Sequence, residues 1–429
     1  MFRKILAFTL LTVTLVTVCA IVPAAAAEDK TEVVLWNRIF EDWNRAWCEQ
    51  IVEEFNADPG QQYFITQEFV DGAAFDEKIA AARVAGTAPD MLLINYSNLI
   101  WAAQQELILP TDGLISQEAY DDLYDNVREM ITFNGRIYGY PQMLEPAVVM
   151  YYRKDLLADA GFDGPPKTWD EYRAVAEALT DDDMFGATMT YDWSMWGWEY
   201  TAGGHWPIAD DWAAPNCTDQ GYVDLLNFIG DLYKAEVVPA QALAHYNESA
   251  RLVADDSVAV TFSGSWGIGA ILNDFPEMAD VIGVAAAPTK DGSPFHSTVG
   301  GWTYQIDAKS KNPEGAAAFI EWLLADDPAR AASFFEVANF SKYSPRKSVD
   351  DYLTTETAAK DNEWMQVISA DIIPYGISEP IYAWDISAEL LNAMSEVTVN
   401  NMSAEDALQQ AADNIATFIA NNDYANKLP

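Results

Sequence analysis

Sites for metal and thiol chemistry are scarce in this chain. Its 429 residues include only three cysteines and three histidines. None of His205, His245 and His296 has a second ligand at the short spacing that zinc sites use, so no metal or other cofactor is expected. Cys19 falls in the leader described below, which leaves Cys48 and Cys217. These two are open to a disulfide in an oxidising compartment or to a pair of ordinary buried thiols. Basic residues are few: 24 Lys and Arg face 66 Asp and Glu, for a formal net charge of −42 and a pI near 4.1. Nucleic-acid binding draws most of its affinity from Lys and Arg neutralising phosphates, so that function is excluded. The acid is spread through the chain and not gathered into a disordered tail. Such a surface repels itself in dilute buffer and is relieved by salt, which points to a saline habitat.

Catalytic signatures are also missing. There is no Walker loop, dinucleotide fingerprint or Ser/His/Asp order. Gly264-Ser265-Trp266-Gly267 is not a nucleophile elbow, which needs glycine two residues to each side of the serine. No self-similarity of 20–50 residues indicates a solenoid or propeller, and no low-complexity linker divides the chain. Beyond the first residues, no segment is long and apolar enough to span a bilayer.

What is present begins with a leader. Arg3 and Lys4 precede an apolar run from Ile5 to Val22, and Ala24 to Ala27 supply small residues ahead of Glu28-Asp29-Lys30. This is the order of a secretory signal cleaved after about Ala27. A retained anchor is the alternative, because about 18 apolar residues approach spanning length. Lipid attachment at Cys19 is a second alternative, weakened by Val18, where such signals place a small residue. The protein is expected to be exported, periplasmic or at the cell surface, and monomeric.

Strands then alternate with helices. Glu32 to Trp36, Tyr63 to Val70 and Pro89 to Ile94 read as strands, with helices over about Trp43 to Asn56 and Ala73 to Ala85 between them. Such alternation indicates βαβ units and a mostly parallel sheet, an α/β fold. At 429 residues the chain suits two domains. Helix starts are marked by Thr168 with Glu171, a capping box. Asn312-Pro313 and Asp327-Pro328 place a cap before a first-turn proline, and Ser403 with Asp406 opens a helix running to about Ala420.

Longer segments resemble a known family. Phe133-Asn134-Gly135-Arg136-Ile137-Tyr138-Gly139-Tyr140-Pro141 leads into Val148 to Leu157, then through Ala160-Gly161-Phe162 to Pro165-Pro166-Lys167-Thr168-Trp169-Asp170-Glu171-Tyr172. Phe262 to Trp266, Gly300-Gly301-Trp302, Ser310 to Ala317 and Tyr343 to Ser348 follow in order. This order resembles the sugar-binding, maltose-binding type of extracellular solute-binding proteins that serve ABC importers, over nearly the whole chain after the leader. The resemblance implies a two-lobe periplasmic-binding-protein fold of type II, hinge-linked, each lobe discontinuous in sequence. Carried over, residues 28–141 plus 295–345 form the N-lobe and 142–294 plus 346–429 the C-lobe, with Pro141 at the first crossing. It also implies a carbohydrate ligand, a permease partner and no catalysis.

The candidate ligand residues are chiefly aromatic. A sugar ring packs its C–H face on a flat side chain while its hydroxyls need polar partners at the edge, and tryptophan supplies both face and N–H. There are 15 tryptophans. Trp43, Trp47, Trp169 and Trp322 sit in helical positions and read as core. Trp36, Asn37 and Arg38 end the first strand, Trp266 follows Gly264-Ser265, and Trp302 follows Gly300 and Gly301, where glycine lets a ligand approach. Tyr191, Trp193 and Trp196 belong to a dense aromatic segment, and the resemblance places Tyr382 and Trp384 where a stacking ring is found. Among polar groups, Glu68 ends the second strand and Asn95 and Ser97 follow the third. Asp90 reads as structural. The resemblance gives Glu145 a hydroxyl-binding role, and Arg346 is divided between cleft and hinge. Two other readings stand beside sugar binding. Clustered tryptophans also cage a quaternary ammonium. A glycosidase needs two carboxylates about 5–10 Å apart, and no motif selects such a pair.

Overall fold

The structure is a computed structural model that describes residues 30–38, 42–71, 74–240 and 248–427. The leader, with Cys19, and His245 lie outside the described residues. Eleven strands are described: β1 (Thr31–Arg38), β2 (Tyr63–Val70), β3 (Met91–Asn95), β4 (Thr132–Phe133), β5 (Arg136–Ile137), β6 (Tyr140–Pro146), β7 (Val149–Arg153), β8 (Phe185–Ala187), β9 (Val258–Ser263), β10 (Ile282–Ala285) and β11 (Val299–Ile306). They form a five-stranded sheet in the order β2-β1-β3-β11-β6, a four-stranded sheet β10-β7-β9-β8, and the small hairpin β4-β5. Asn134-Gly135 turns that hairpin with both residues at positive φ, the conformation a two-residue loop requires and Asn-Gly readily adopts.

Each larger sheet belongs to one lobe, and both are mixed. β1 runs parallel to β2 and β3, and β8 parallel to β9. In contrast, β11 is antiparallel to β3 and β6, and β7 to β9 and β10. The expectation of mostly parallel sheets therefore needs correction. β6 runs into β7, and β10 into β11, with no helix between them, so no helical crossover imposes a parallel direction on these strands. The central strands read as continuous apolar runs because both faces are covered: β7 and β9 are buried throughout. β1 divides its faces. Val33 and Leu35 join the core with helix Asp42–Ala57, while Trp36 packs beneath helix Phe75–Ala85 with Val70, Phe75 and Leu92.

The chain leaves the first sheet at Ala147-Val148, between β6 and β7. Pro141 lies inside β6, paired with Thr303, and not at the crossing. Three connecting segments meet there. Ala147 N–H donates to Thr298 O at 2.8 Å and Val148 N–H to Ser297 Oγ at 2.9 Å. Ile377 donates to Ser297 O at 3.0 Å and receives Val299 N–H at 2.8 Å, and Leu144 and Tyr343 exchange two backbone bonds. Beyond Arg346, helix Lys347–Glu356 still packs on helix Pro328–Val337, which contacts helix Asp42–Ala57. Contact with the second sheet comes at helix Glu363–Asp371, where Trp364 Nε1 donates to Ile282 O at 3.1 Å. Cys48 and Cys217 are free and buried, one in the first-lobe core and one against the C-terminal helices. Burial pushes both thiols up to about 12. No helix among the described residues is long and apolar enough to cross a membrane.

Candidate ligand-binding cleft

The ends of the strands build the cleft. On the first lobe these are the segment after β3, the start of β11 and, beside them, helix Asp125–Met130 and the β4–β5 hairpin. On the second lobe they are the stretch after β8, helix Met195–Gly203 and the segment that follows it to Trp212. A cavity of about 700 Å³ opens between Tyr96, Asn126, Glu129 and Phe133 on one side and Tyr200, Trp206, Asp210 and Trp212 on the other, with Gly376–Tyr382 along a third wall. That volume is within the range of small-molecule sites.

Aromatic rings dominate the second-lobe side. Helix Met195–Gly203 ends at Gly204, whose φ of 72° closes the helix in the left-handed region that glycine tolerates. The chain then turns through His205, held by Asp219 at 2.7 Å, and presents Trp206. The Trp206 ring lies 4.9 Å from that of Tyr200 and 5.9 Å from that of Tyr382. Trp212 stacks on Tyr424 at 4.8 Å. A second row runs Trp266–Trp193–Trp196–Trp384, with centroids 5.9, 6.3 and 6.0 Å apart. Trp196 Nε1 is anchored on Ser387 Oγ at 2.8 Å, and Trp384 remains half exposed.

Polar groups come from the first lobe and the crossings. Arg38 donates to Asn95 Oδ1 at 2.8 Å and lies 6.0 Å from the Trp302 ring centroid. Glu145 is held by Lys342 at 2.5 Å, whose side chain is 1% exposed. Beside them stands Glu379, half-buried, its Oε1 only 3.0 Å from where a β-carbon on Gly300 would sit. Burial, reinforced by the charge of Glu145, pushes its carboxyl up to about 7.

Several expected ligand residues are placed elsewhere. Trp36 is 7% exposed and is covered by the Lys78 ammonium, 4.5 Å from its ring centroid. Lys78 in turn pairs with Glu68. Asn37 is buried and donates to Gln67 Oε1 at 2.9 Å. Tyr191 turns its hydroxyl to Thr398 and to Met394 O on helix Trp384–Val399. Arg346 binds Asp122 at 2.8 Å and the carbonyls of Leu324 and Ala325, which makes it a buried brace. In all of these, the alternation of side chains or the demand of a buried donor for an acceptor draws the residue away from the cleft. Gly301 has φ 142°, and a β-carbon there would stand 2.1 Å from Met143 O, so the neighbouring strand requires this glycine. Gly264 makes room for the ring of Trp266 in the same way. Ser97 lies in the single turn Tyr96–Asn98, and its side chain is outside the described residues. Asp90 is structural, accepting from Val34 N–H and Ser310 Oγ.

Of the residues singled out in the sequence, Tyr382 lines the cavity itself; Trp193, Trp196, Trp266 and Trp384 form the adjoining row. Tyr200, which also lines the cavity, ends the dense aromatic segment that begins at Tyr191, whereas Tyr96, Trp206, Trp212 and Glu379 were not anticipated. The glycine pair ahead of Trp206 resembles the signal used for Trp302. Tyr96 opens the single turn Tyr96–Asn98, and Trp212 and Glu379 sit on loops that carry no periodic signal.

Two α/β lobes joined by hydrogen-bonded connecting segments, with an aromatic cavity between them, define a hinged ligand-capture protein. The chain belongs to the bacterial extracellular solute-binding protein family, whose model matches residues 42–330. It is similar to the mannitol-binding protein of Pseudomonas aeruginosa, 26% identical over 287 residues, and spans 64% of that relative's length, just under two thirds. It is also similar to the maltodextrin-binding protein MdxE of Bacillus subtilis, 24% identical over 398 residues covering 87% of this chain and 88% of that one. The sugar-binding protein MalE from Xanthomonas citri shares the fold with a TM-score of 0.79 at 19% identity, over 93% of this chain and 100% of that one.

Proposed function

We propose that this protein is the substrate-binding component of an ABC-type carbohydrate importer, exported to the periplasm or cell surface and acting as a monomer. It captures a mono- or oligosaccharide between its lobes and delivers it to the permease. The observation that carries this reading is the cavity walled by Tyr200, Trp206 and Tyr382, beside the Trp266–Trp193–Trp196–Trp384 row, with carboxylates at its edge. Ring faces and charge-assisted acceptors are the two things a pyranose needs. The names of its relatives, which bind mannitol and maltodextrin, support the same class.

The mechanism is a population shift. Open and closed forms exchange at the hinge, and a ligand touching both lobes favours the closed form in proportion to its extra contacts there. We place the lobe boundaries at the crossings Ala147-Val148 and 286–298, with the final return after Glu356. A thermal-shift screen of the purified chain against mono- and oligosaccharides and glycine betaine tests the function. A ligand that binds only the folded state raises the melting temperature. A rise with one saccharide that is lost in Trp206→Ala or Trp266→Ala supports the proposal. A rise with betaine alone replaces the ligand class, and no response across the panel overturns carbohydrate binding.

A further inference from the structure

The cavity between the lobes is one-sided in charge. Its described lining includes Glu129, Asp210 and Glu379 and no Lys, Arg or His. The internal segments outside the described residues, 39–41, 72–73 and 241–247, contain no lysine or arginine. Glu129 and Asp210 are exposed, so water carries their charge. Glu379 differs from both. It is half-buried, and no ion pair or hydrogen bond reaches its side chain from the described residues. The charge it feels is the like charge of Glu145. The cation at this corner, Lys342, is buried against Glu145.

An ionised carboxylate withdrawn from water without a counter-charge is costly. A sugar hydroxyl pair satisfies its lone pairs but leaves the charge unbalanced, whereas an ammonium does both. The surroundings favour a cation independently of the acids. Tyr200, Trp206 and Tyr382 present ring systems to the same cavity, and aromatic faces attract an ammonium group within about 6 Å. The neighbouring chain also gives way for this carboxylate. Any β-carbon at Gly300 would crowd Glu379 Oε1, so the glycine leaves it room beside β11.

Building on the reading of the cleft as a saccharide site, we propose that Glu379 selects the ligand's charge. Its carboxylate takes an ammonium group, so the cleft prefers an aminated saccharide to its neutral counterpart. Glu145, ion-paired with Lys342, is left to accept hydroxyls.

Isothermal titration of the purified full chain at fixed ionic strength tests this, using matched pairs: glucose with glucosamine, and neutral with aminated disaccharides. The expected result is binding of the aminated member at least ten-fold more tightly, with Glu379→Gln bringing the ratio to within about three-fold. The wild-type ratio is informative whatever the variant's stability. Equal binding, or preference for the neutral member, overturns the charge selection while carbohydrate binding stands. A preference that survives Glu379→Gln overturns the assignment to this residue. No binding by either member of any pair overturns both readings.

Discussion

Glu199 is a carboxyl group with almost no water around it. It sits on helix Met195–Gly203, 4% exposed, and its Oε2 has no hydrogen-bond partner among the described residues. Burial pushes its carboxyl up to about 8. In the unfolded chain the same group releases its proton near 4.5, so between about pH 4.5 and 8 the folded state holds a proton the unfolded state has lost. Stability linked to Glu199 is therefore fully present below pH 4.5 and is lost as pH rises through 8. Urea unfolding of the wild type is expected to show this decline, and Glu199→Gln to flatten it. At pH 8.5 the variant should be the more stable, by on the order of a few kcal/mol. A parallel decline in both proteins would assign the slope to other groups. The glycines make a related point about single residues. Gly301 and Gly264 look in the sequence like places opened for a ligand, yet the atoms that come close belong to Met143 and to Trp266. Which neighbour fills the space above a glycine depends on strand pairing, and the local sequence does not contain it.

Helix ends were among the most legible elements, because a cap is decided within four residues. Thr168 accepts from Glu171 N–H while Glu171 reaches back, forming the complete capping box at helix Trp169–Leu179. Asp327 and Ser403 cap as the sequence indicates. Asn312 does not cap with its side chain. Its Nδ2 donates instead to Glu32 O at 3.0 Å, tying the helix to β1. Thr168→Ala is expected to cost about 1 kcal/mol, since the helix it starts buries Trp169, Tyr172, Val175 and Ala176. Chemical denaturation will check this, and an unchanged midpoint would mean that packing alone holds the helix end. Strand direction was less legible. β1 to β3 obey the βαβ rule, but the strands flanking the crossings run antiparallel to their neighbours, a consequence of the hinge that no single segment encodes.

At the scale of the whole molecule, charge dominates. A net charge of −42 places like charges side by side on the exposed surface, as at Asp181-Asp182-Asp183. Mutual repulsion weakens as the screening length shrinks from about 10 Å at 0.1 M salt to about 3 Å at 1 M. The melting temperature is expected to fall by more than about 5 °C on going from molar to tens-of-millimolar sodium chloride, equivalent to roughly 4 kcal/mol for a chain of this length. Indifference to salt would remove the argument for a saline habitat.

Much about this protein was settled by composition and local pattern alone. The strand–helix alternation sets the α/β class, the caps locate helices, and five ordered segments point to the family. These are properties of residues close together in the chain, where periodicity, charge and capping act over short distances. The cleft was decided by tertiary structure. Trp206, Tyr200, Tyr96 and Glu379 lie on separate loops and helices and meet through the folding of two lobes about the Ala147-Val148 crossing. Trp36, Asn37, Tyr191 and Arg346 carry the right chemistry for a ligand, but burial and the need for hydrogen-bond partners drew them into the scaffold. Side-chain chemistry is written residue by residue, whereas which face of a strand is covered depends on every element packed against it.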